Sequence, residues 1–501
     1  MSADREIVIV GAGFSGIGAG IRCKRSGLDD FLIVDAADDV GGTWRDNTYP
    51  GVAVDIASSV YSYSFELNPH WSRAYAPGAE LKSYADHCVA KYGLAEHLRL
   101  RTHVERARFD EERSLWQLTL VDRDAGTRSE LTARFLLGAT GSFATPRMPD
   151  IPGVGAFQGV TMHTAAWDHD VDLRGRRVAV IGTGATAVQV VPAIAPQVRR
   201  LTVFQRTPIW IFPKPDRAIS EREQRIYRRF PVTQRLMRAL QFTVTEVVMV
   251  LCRQYYTRAP WVNHALERLM LRNLERQVPD PSLRAKLRPA YGFWCKRPTY
   301  SNEYWPVFNR DNVDLVTDPI DRITPTGVVT ADGIAHEVDV LVLATGFRVF
   351  QPDSVPGFTV IGRDGVDLGE YWRTQRYQAY LGAAVPKFPN LFLMVGPYAF
   401  TGGSWFQQVE NQSRHAVRAI AAARRRGADR VEVRQAAHDR YFAQVQRRQR
   451  TSVFYNRNCG TANSYFFDHH GDAPFLRPAP AVEAWWNSRT YPLDAYDFHT
   501  S

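Results

Sequence analysis

IVIVGAGFSG, residues 7–16, decides the fold. Four successive apolar residues read as a short buried strand, and Gly11, Gly13 and Gly16 read as a turn that opens a helix. The first glycine makes the tight turn. The second lets the backbone approach a pyrophosphate, and the third allows close helix–strand packing. Phe14 and Ser15 fall in the first turn of that helix, whose free N–H groups offer themselves to phosphate. One such spacing is a weak signal, but here it recurs. VAVIGTGATA, residues 178–187, repeats strand, turn and helix through Gly182, Thr183, Gly184, Ala185, Thr186 and Ala187. Alanine is tolerated at the third position. Each unit continues to a second apolar strand, FLIV at 31–34 and LTVF at 201–204. Each later reaches a strand ending in Ala-Thr-Gly, at Ala139–Gly141 and Ala344–Gly346.

The two units differ at one matched position. Asp35 lies 24 residues after Gly11, at the end of the second strand; Arg206 lies 24 residues after Gly182. An acid there accepts hydrogen bonds from a ribose 2′-OH and repels a 2′-phosphate, which suits FAD or NAD. A cation suits the 2′-phosphate of NADPH, and Thr207 adds a hydroxyl donor. Two nucleotide sites without a CxxC motif suggest hydride transfer from NADPH to a tightly held flavin, so the expected cofactors are FAD and NADPH.

Outward from these units, the chain reads as an α/β protein with two Rossmann-like dinucleotide-binding domains, the NADP domain inserted in the FAD domain, plus a helical insertion. The expected division is FAD domain 1–145, NADP domain 146–213, helical insertion 214–287, NADP domain again 288–338, and FAD domain with C-terminal tail 339–501. Pro146, Pro149 and Pro152 mark one crossing. Within the insertion Leu236, Leu240, Val244, Val248 and Leu251 follow helical spacing, as do Leu266, Met270 and Leu274. Core packing is the expectation for most of this face; a membrane-facing or substrate-lining role for part of it stays open.

The chain has 501 residues and a net charge of +10. The arginine runs at Arg424–Arg426 and Arg447–Arg450 read as solvated helix faces, because no nucleic-acid-binding motif accompanies them. Five cysteines, an odd number with no CxxC, argue against a disulfide framework, a zinc site and a dithiol redox centre. No metal is expected. A reducing compartment, the cytoplasm, follows, and no signal peptide is read before the first strand. The longest apolar stretch, Ala239–Cys252, is interrupted by Gln241 and Glu246 and is too short and polar to span a bilayer.

FQGVTMHTAAWD then places Phe157, Gly159, His163, Trp167 and Asp168 in the spacing FxGxxxHxxxW(P/D). This resembles the signature of type I Baeyer–Villiger monooxygenases. Related flavin-containing and N-hydroxylating monooxygenases share a looser version. GGTWRDNTYPGVAVD (41–55), VFQRTP (203–208), CKRP (295–298) and LATGF (343–347) resemble the same family, in order. The resemblance implies that Gly42, Thr43 and Trp44 lie against the isoalloxazine and that Tyr61 also contacts the cofactor. It makes Asp55 the active-site aspartate, Arg297 the catalytic arginine and Lys296 a second contact to the 2′-phosphate. His163 and Trp167, with the rest of the signature, organise the hinge between the nucleotide domains.

The implied reaction uses a flavin peroxide to insert one oxygen atom from O2 beside a ketone carbonyl, giving an ester or lactone. Oxygenation of sulfur or nitrogen is the alternative, and an NADPH oxidase, a flavin reductase or a non-catalytic nucleotide-binding protein are others. Phe400, Trp405, Phe406, Phe454, Tyr465, Phe466 and Phe467 could line an apolar pocket, which points to a hydrophobic ketone.

Overall fold

The computed structural model describes residues 3–351 and 354–500. Six strands come from the first part of the chain: β1 (Arg5–Val10), β2 (Phe31–Val34), β3 (Leu98–Arg99), β4 (Thr102–Asp110), β5 (Leu115–Asp122) and β6 (Arg128–Gly138). A second sheet follows: β7 (Val160–His163), β8 (Arg177–Ile181), β9 (Arg200–Phe204), β10 (Val313–Val316) and β11 (Val340–Leu343), in the order β10–β9–β8–β11–β7 and parallel throughout. The chain then returns to the first sheet with β12 (Thr359–Ile361) and β13 (Leu391–Leu393). That sheet runs β12–β4–β5–β6–β1–β2–β3, with β13 also paired to β6. One sheet is thus built from both ends of the chain, and the other is inserted in it. The sequence reading ends the inserted part at residue 338, yet β11 is a central strand of the second sheet. A short, wholly apolar strand buried on both faces carries no mark of which sheet it joins.

The duplication is repeated in backbone detail. β1 pairs with β6 at Val10↔Gly138, and β8 pairs with β11 at Ile181↔Leu343, so each Ala-Thr-Gly turn abuts a glycine turn. Gly11 has φ +113° and Gly182 φ +117°; a Cβ on either would lie 2.6 or 2.4 Å from the carbonyl oxygen of Ala139 or Ala344. No side chain is accommodated there without moving backbone.

Outgoing and returning chains cross between the sheets side by side. Pro146 and Phe347 form an antiparallel bridge; the Arg147 N–H donates to the Gly346 carbonyl at 2.8 Å and the Arg348 N–H to the Thr145 carbonyl at 2.9 Å.

The insertion is helical, with helices Glu221–Arg229, Pro231–Met249, Pro260–Gln277 and Pro281–Leu287. Met270 and Leu274 are buried as expected, and Val248 and Leu251 are half-buried, but the first three of the row on the second helix are not: Leu236, Leu240 and Val244 are 65%, 61% and 57% exposed. The face turned inward is mixed: Val248 and Met249 pack on the core near its end, and its first half is held by hydrogen bonds. Arg238 donates to the Ser59 carbonyl (2.8 Å), the Val60 carbonyl (3.1 Å) and the Ser62 hydroxyl (3.1 Å), and Gln234 donates to the Asn68 carbonyl at 2.7 Å. Apolar spacing marks a face of a helix but does not say what lies opposite it.

The cysteine expectation is also corrected. Cys295 and Cys459 form a disulfide across 164 residues, with their Cα atoms 4.9 Å apart. The pair arises because the tail folds back over the segment before Arg297, a tertiary proximity that counting and local spacing do not reveal. Cys23, Cys88 and Cys252 are buried thiols, each pushed up to about 12 chiefly by burial.

Candidate active site

One cavity of ≈ 1690 Å³ runs between the two sheets. At its first end lie Gly11, Gly13, Phe14, Ser15, Asp35, Gly42, Thr43 and Trp44. The helix after the turn spans Phe14–Lys24, and its first N–H groups have no side-chain cap, so they stay free for a ligand. Asp35 closes the far side. Its carboxylate accepts from the Ala12 N–H at 2.6 Å and the Ala37 N–H at 2.9 Å, and Arg45 stands 3.5 Å away. Gly42 comes so close to Gly13 that a Cβ on it would sit 3.0 Å from the Gly13 Cα. Trp44 donates to the Tyr61 hydroxyl at 3.2 Å, and Tyr61 also lines the cavity. These residues suit FAD: a bare backbone cradle, an acid for the adenosine ribose and glycine turns that leave room for a flat ring.

At the other end the cavity meets Gly182, Thr183, Gly184, Ala185, Thr186, Arg206, Thr207 and Lys296. A Cβ on Gly184 would meet nothing within 4 Å, which leaves open space in front of the helix Ala185–Ile194. Thr183 donates its hydroxyl to the Thr207 carbonyl at 2.7 Å and ties the glycine turn to the strand end. Lys296 is pushed down to about 8, by burial first and then by the Arg206 charge beside it. Two converging cations at a strand end suit a doubly charged 2′-phosphate, hence NADPH. Gly16 and Ala187 do not line the cavity; both are buried in the helices behind it.

Between the two ends sit Arg297 and Asp55, both on the cavity wall, with Arg297 Nη2 donating to Asp55 Oδ1 at 2.7 Å. Burial works against the charge on Arg297. Asp55 and, next, Tyr465 outweigh it and hold the guanidinium above its ordinary value, so it stays a cation. Tyr465 comes from the tail and packs edge-on against Phe143 and Phe475, with centroids 5.6 and 5.5 Å away. Phe400, Trp405, Phe454 and Phe467 also reach the cavity, whereas Phe406 and Phe466 are buried in the core.

The signature residues lie elsewhere. Phe157, Gly159, His163, Trp167 and Asp168 are absent from the cavity wall. They frame β7, the edge strand of the second sheet, rather than a free linker. His163 Nδ1 accepts from the Ala165 N–H at 3.1 Å, and its ring packs edge-on against Phe347 at the crossing, 6.2 Å between centroids. Burial lowers its pKa and a Gly346 backbone contact offsets this in part. Asp168 accepts from the Asp170 N–H at 2.9 Å.

Gln189 was not anticipated. From the second fingerprint helix it accepts from the Tyr49 hydroxyl at 2.9 Å and donates to the Ala53 carbonyl at 2.9 Å, clasping one unit to the loop that carries Asp55. Nothing in the local sequence distinguishes this glutamine from a solvated helix residue. Asn463, whose amide lies 3.5 Å from the Thr207 hydroxyl, likewise comes from a tail with no recognisable motif.

Two dinucleotide folds facing one cleft define a flavin- and pyridine-nucleotide-dependent oxidoreductase. Residues 8–247 match the family described as pyridine nucleotide-disulphide oxidoreductase. A Baeyer–Villiger monooxygenase of Pseudomonas aeruginosa is 41% identical over 91% of this chain and 84% of its own. OTEMO in complex with FAD and NADP superposes with a TM-score of 0.86 at 27% identity, covering 99% of this chain and 100% of that one. Cyclohexanone monooxygenase from Rhodococcus sp. Phi1 bound to NADP+ gives 0.86 at 26% identity, covering 99% of each. The chain belongs to the Baeyer–Villiger monooxygenases.

Proposed function

We propose that the protein uses FAD and NADPH to insert one oxygen atom from O2 beside the carbonyl of a hydrophobic ketone, giving an ester or lactone. The Arg297–Asp55 pair, at 2.7 Å on the cavity wall between the two nucleotide ends, carries this reading. When bound, FAD accepts hydride from NADPH and activates O2. Arg297 supplies fixed positive charge where negative charge gathers on oxygen, both on the oxidant and on the former carbonyl oxygen. Asp55 orients the guanidinium and keeps it charged, and Tyr465 braces it from the tail. Gly11, Gly13, Phe14, Ser15, Asp35, Gly42, Thr43, Trp44 and Tyr61 hold FAD, and Gly16 packs the helix against the turn behind them. Gly182, Thr183, Gly184, Ala185, Thr186, Arg206, Thr207 and Lys296 hold NADPH, and Ala187 packs the helix behind them. Phe157, Gly159, His163, Trp167 and Asp168 organise the crossing between the units, and a largely neutral His163 acts there as a structural group rather than a base.

The same reading divides the chain into an FAD unit of residues 1–145 plus the C-terminal part, and an inserted NADP unit carrying the helices of 214–287. Among the described residues no helix is long and apolar enough to cross a membrane.

The test is oxygenation of cyclic, linear and aryl ketones by Arg297→Ala, with product masses, beside flavin reduction by NADPH. Loss of ester formation by roughly 10²–10³-fold is expected, with flavin reduction retained. Ester formation at the parental rate would overturn the role of Arg297. A thioether oxygenated in preference to every ketone would favour heteroatom chemistry instead.

A further inference from the structure

Among the described residues, the outward row on the insertion helix Pro231–Met249 has no partner in the fold. Val232, Leu236, Leu240, Val244 and Val247 recur every three or four residues and are all more than half exposed, forming one stripe along the helix. Phe230, at the corner with the preceding helix, is exposed too. Five exposed arginines, Arg222, Arg225, Arg228 and Arg229 on the preceding helix and Arg235 on this one, stand against one exposed acid, Glu221, on the same two helices. The far end of the stripe meets the helix Ala481–Thr490, whose first N–H, at Ala481, donates to Glu246. That helix adds exposed Val482 and Trp486.

We propose that this face docks on an anionic lipid surface, with the helix lying in the plane of the interface. The apolar stripe enters the acyl boundary, the arginines meet anionic headgroups, and Trp486 sits at the headgroup level. Charge decides between lipid and a second copy. A two-fold contact between copies sets these arginines against each other if the helices run parallel, and against the apolar end at Val247, Val482 and Trp486 if they run antiparallel; neither arrangement supplies the arginines with anions. A sheet of lipid phosphates neutralises them.

Position gives the docking a use. The opposite side of the helix backs the cavity wall: a Cβ on Gly403, which lines the cavity, would lie 3.3 Å from the Phe242 ring. Arg253, just beyond the helix, donates to the Thr401 carbonyl at 2.7 Å. A docked enzyme therefore holds its cavity one helix away from the hydrocarbon in which apolar ketones concentrate.

The test is co-sedimentation of the flavin-loaded protein with phosphatidylcholine vesicles, with and without phosphatidylglycerol, at low and high salt. Phosphatidylglycerol should raise the bound fraction by about tenfold at low salt, and salt should reverse much of it. The triple variant L236S/L240S/V244S should lose binding to both vesicles. R225Q/R228Q/R229Q should lose only the preference for phosphatidylglycerol. Both variants should keep bound flavin and NADPH-dependent activity, which certifies their folds. Parental protein that stays in the supernatant with both vesicles overturns the proposal. So does a concentration-dependent dimer, in light scattering, that the serine variant abolishes while vesicle binding is absent.

Discussion

The first and second nucleotide units share a backbone and differ in what that backbone is aimed at. Their leading glycines match within a few degrees in φ, and the residues before their helices, Gly13 at φ −75° and Gly184 at φ −74°, are extended alike. At the shared offset, one unit carries a carboxylate already engaged by two backbone N–H groups and the other an exposed guanidinium beside Lys296. On the proposed reading the glycine turn supplies pyrophosphate binding in both, and a single strand-end side chain chooses between adenosine ribose and its phosphate.

The strongest way to separate the units is to damage each glycine turn in turn. Gly11→Ala and Gly182→Ala each force a Cβ into a carbonyl oxygen and add about 1–3 kcal/mol of local strain. Gly11→Ala should purify without flavin colour. Gly182→Ala should stay yellow and lose most of its affinity for NADPH, as measured by stopped-flow reduction. If both shed flavin equally, the two ends of the cavity are not independent and the comparison fails.

A smaller effect comes from the strand end. Arg206→Ala should weaken NADPH by about 10- to 100-fold, the range for losing a charge-assisted contact to phosphate, and leave NADH almost untouched. Steady-state kinetics with both coenzymes reads this. An equal loss with NADH would mean that Arg206 serves the fold rather than the phosphate.

The pH dependence is smaller again. Lys296, pushed down to about 8, is charged below that pH and loses its charge as pH rises through it. The kcat/KM for NADPH should therefore decline severalfold above about pH 8, with kcat/KM reporting the free enzyme. Lys296→Arg should flatten this limb, and NADH should not show it.

The disulfide should matter least to turnover, and on one side only. It anchors the tail beside Lys296 and Arg297. Cys459→Ser should alter the KM for NADPH by no more than about tenfold, a change of 1.4 kcal/mol, and speed proteolysis of the tail, with flavin content unchanged. Flavin loss would show that the tail secures both units.

Legibility from the sequence followed the reach of the interactions. Asp35 and Arg206 were readable because a βαβ unit fixes their distance from its glycines within one local fold. Arg297 and Asp55 are 242 residues apart, and no spacing rule joins them; resemblance to a family brought them together. The outward stripe on Pro231–Met249 was readable as a stripe but not as outward, since Arg238 and Gln234 hold the other face inward through hydrogen bonds to a loop more than a hundred residues away. The Cys295–Cys459 pair and the Gln189 clasp failed for the same reason. Each depends on where a distant loop or tail comes to rest.

The paired crossing has a mechanical consequence. A plate hung on one strap can twist, swing and slide, whereas one hung on two straps stitched edge to edge folds along a single crease. Residues 145–148 and 345–348 are such a seam, bonded through the Arg147 and Arg348 amides. Any movement of the inserted sheet would bend along this seam, in one arc across the shared cleft. The direction of such a crease would be written into two backbone stretches rather than into any side chain of the cleft.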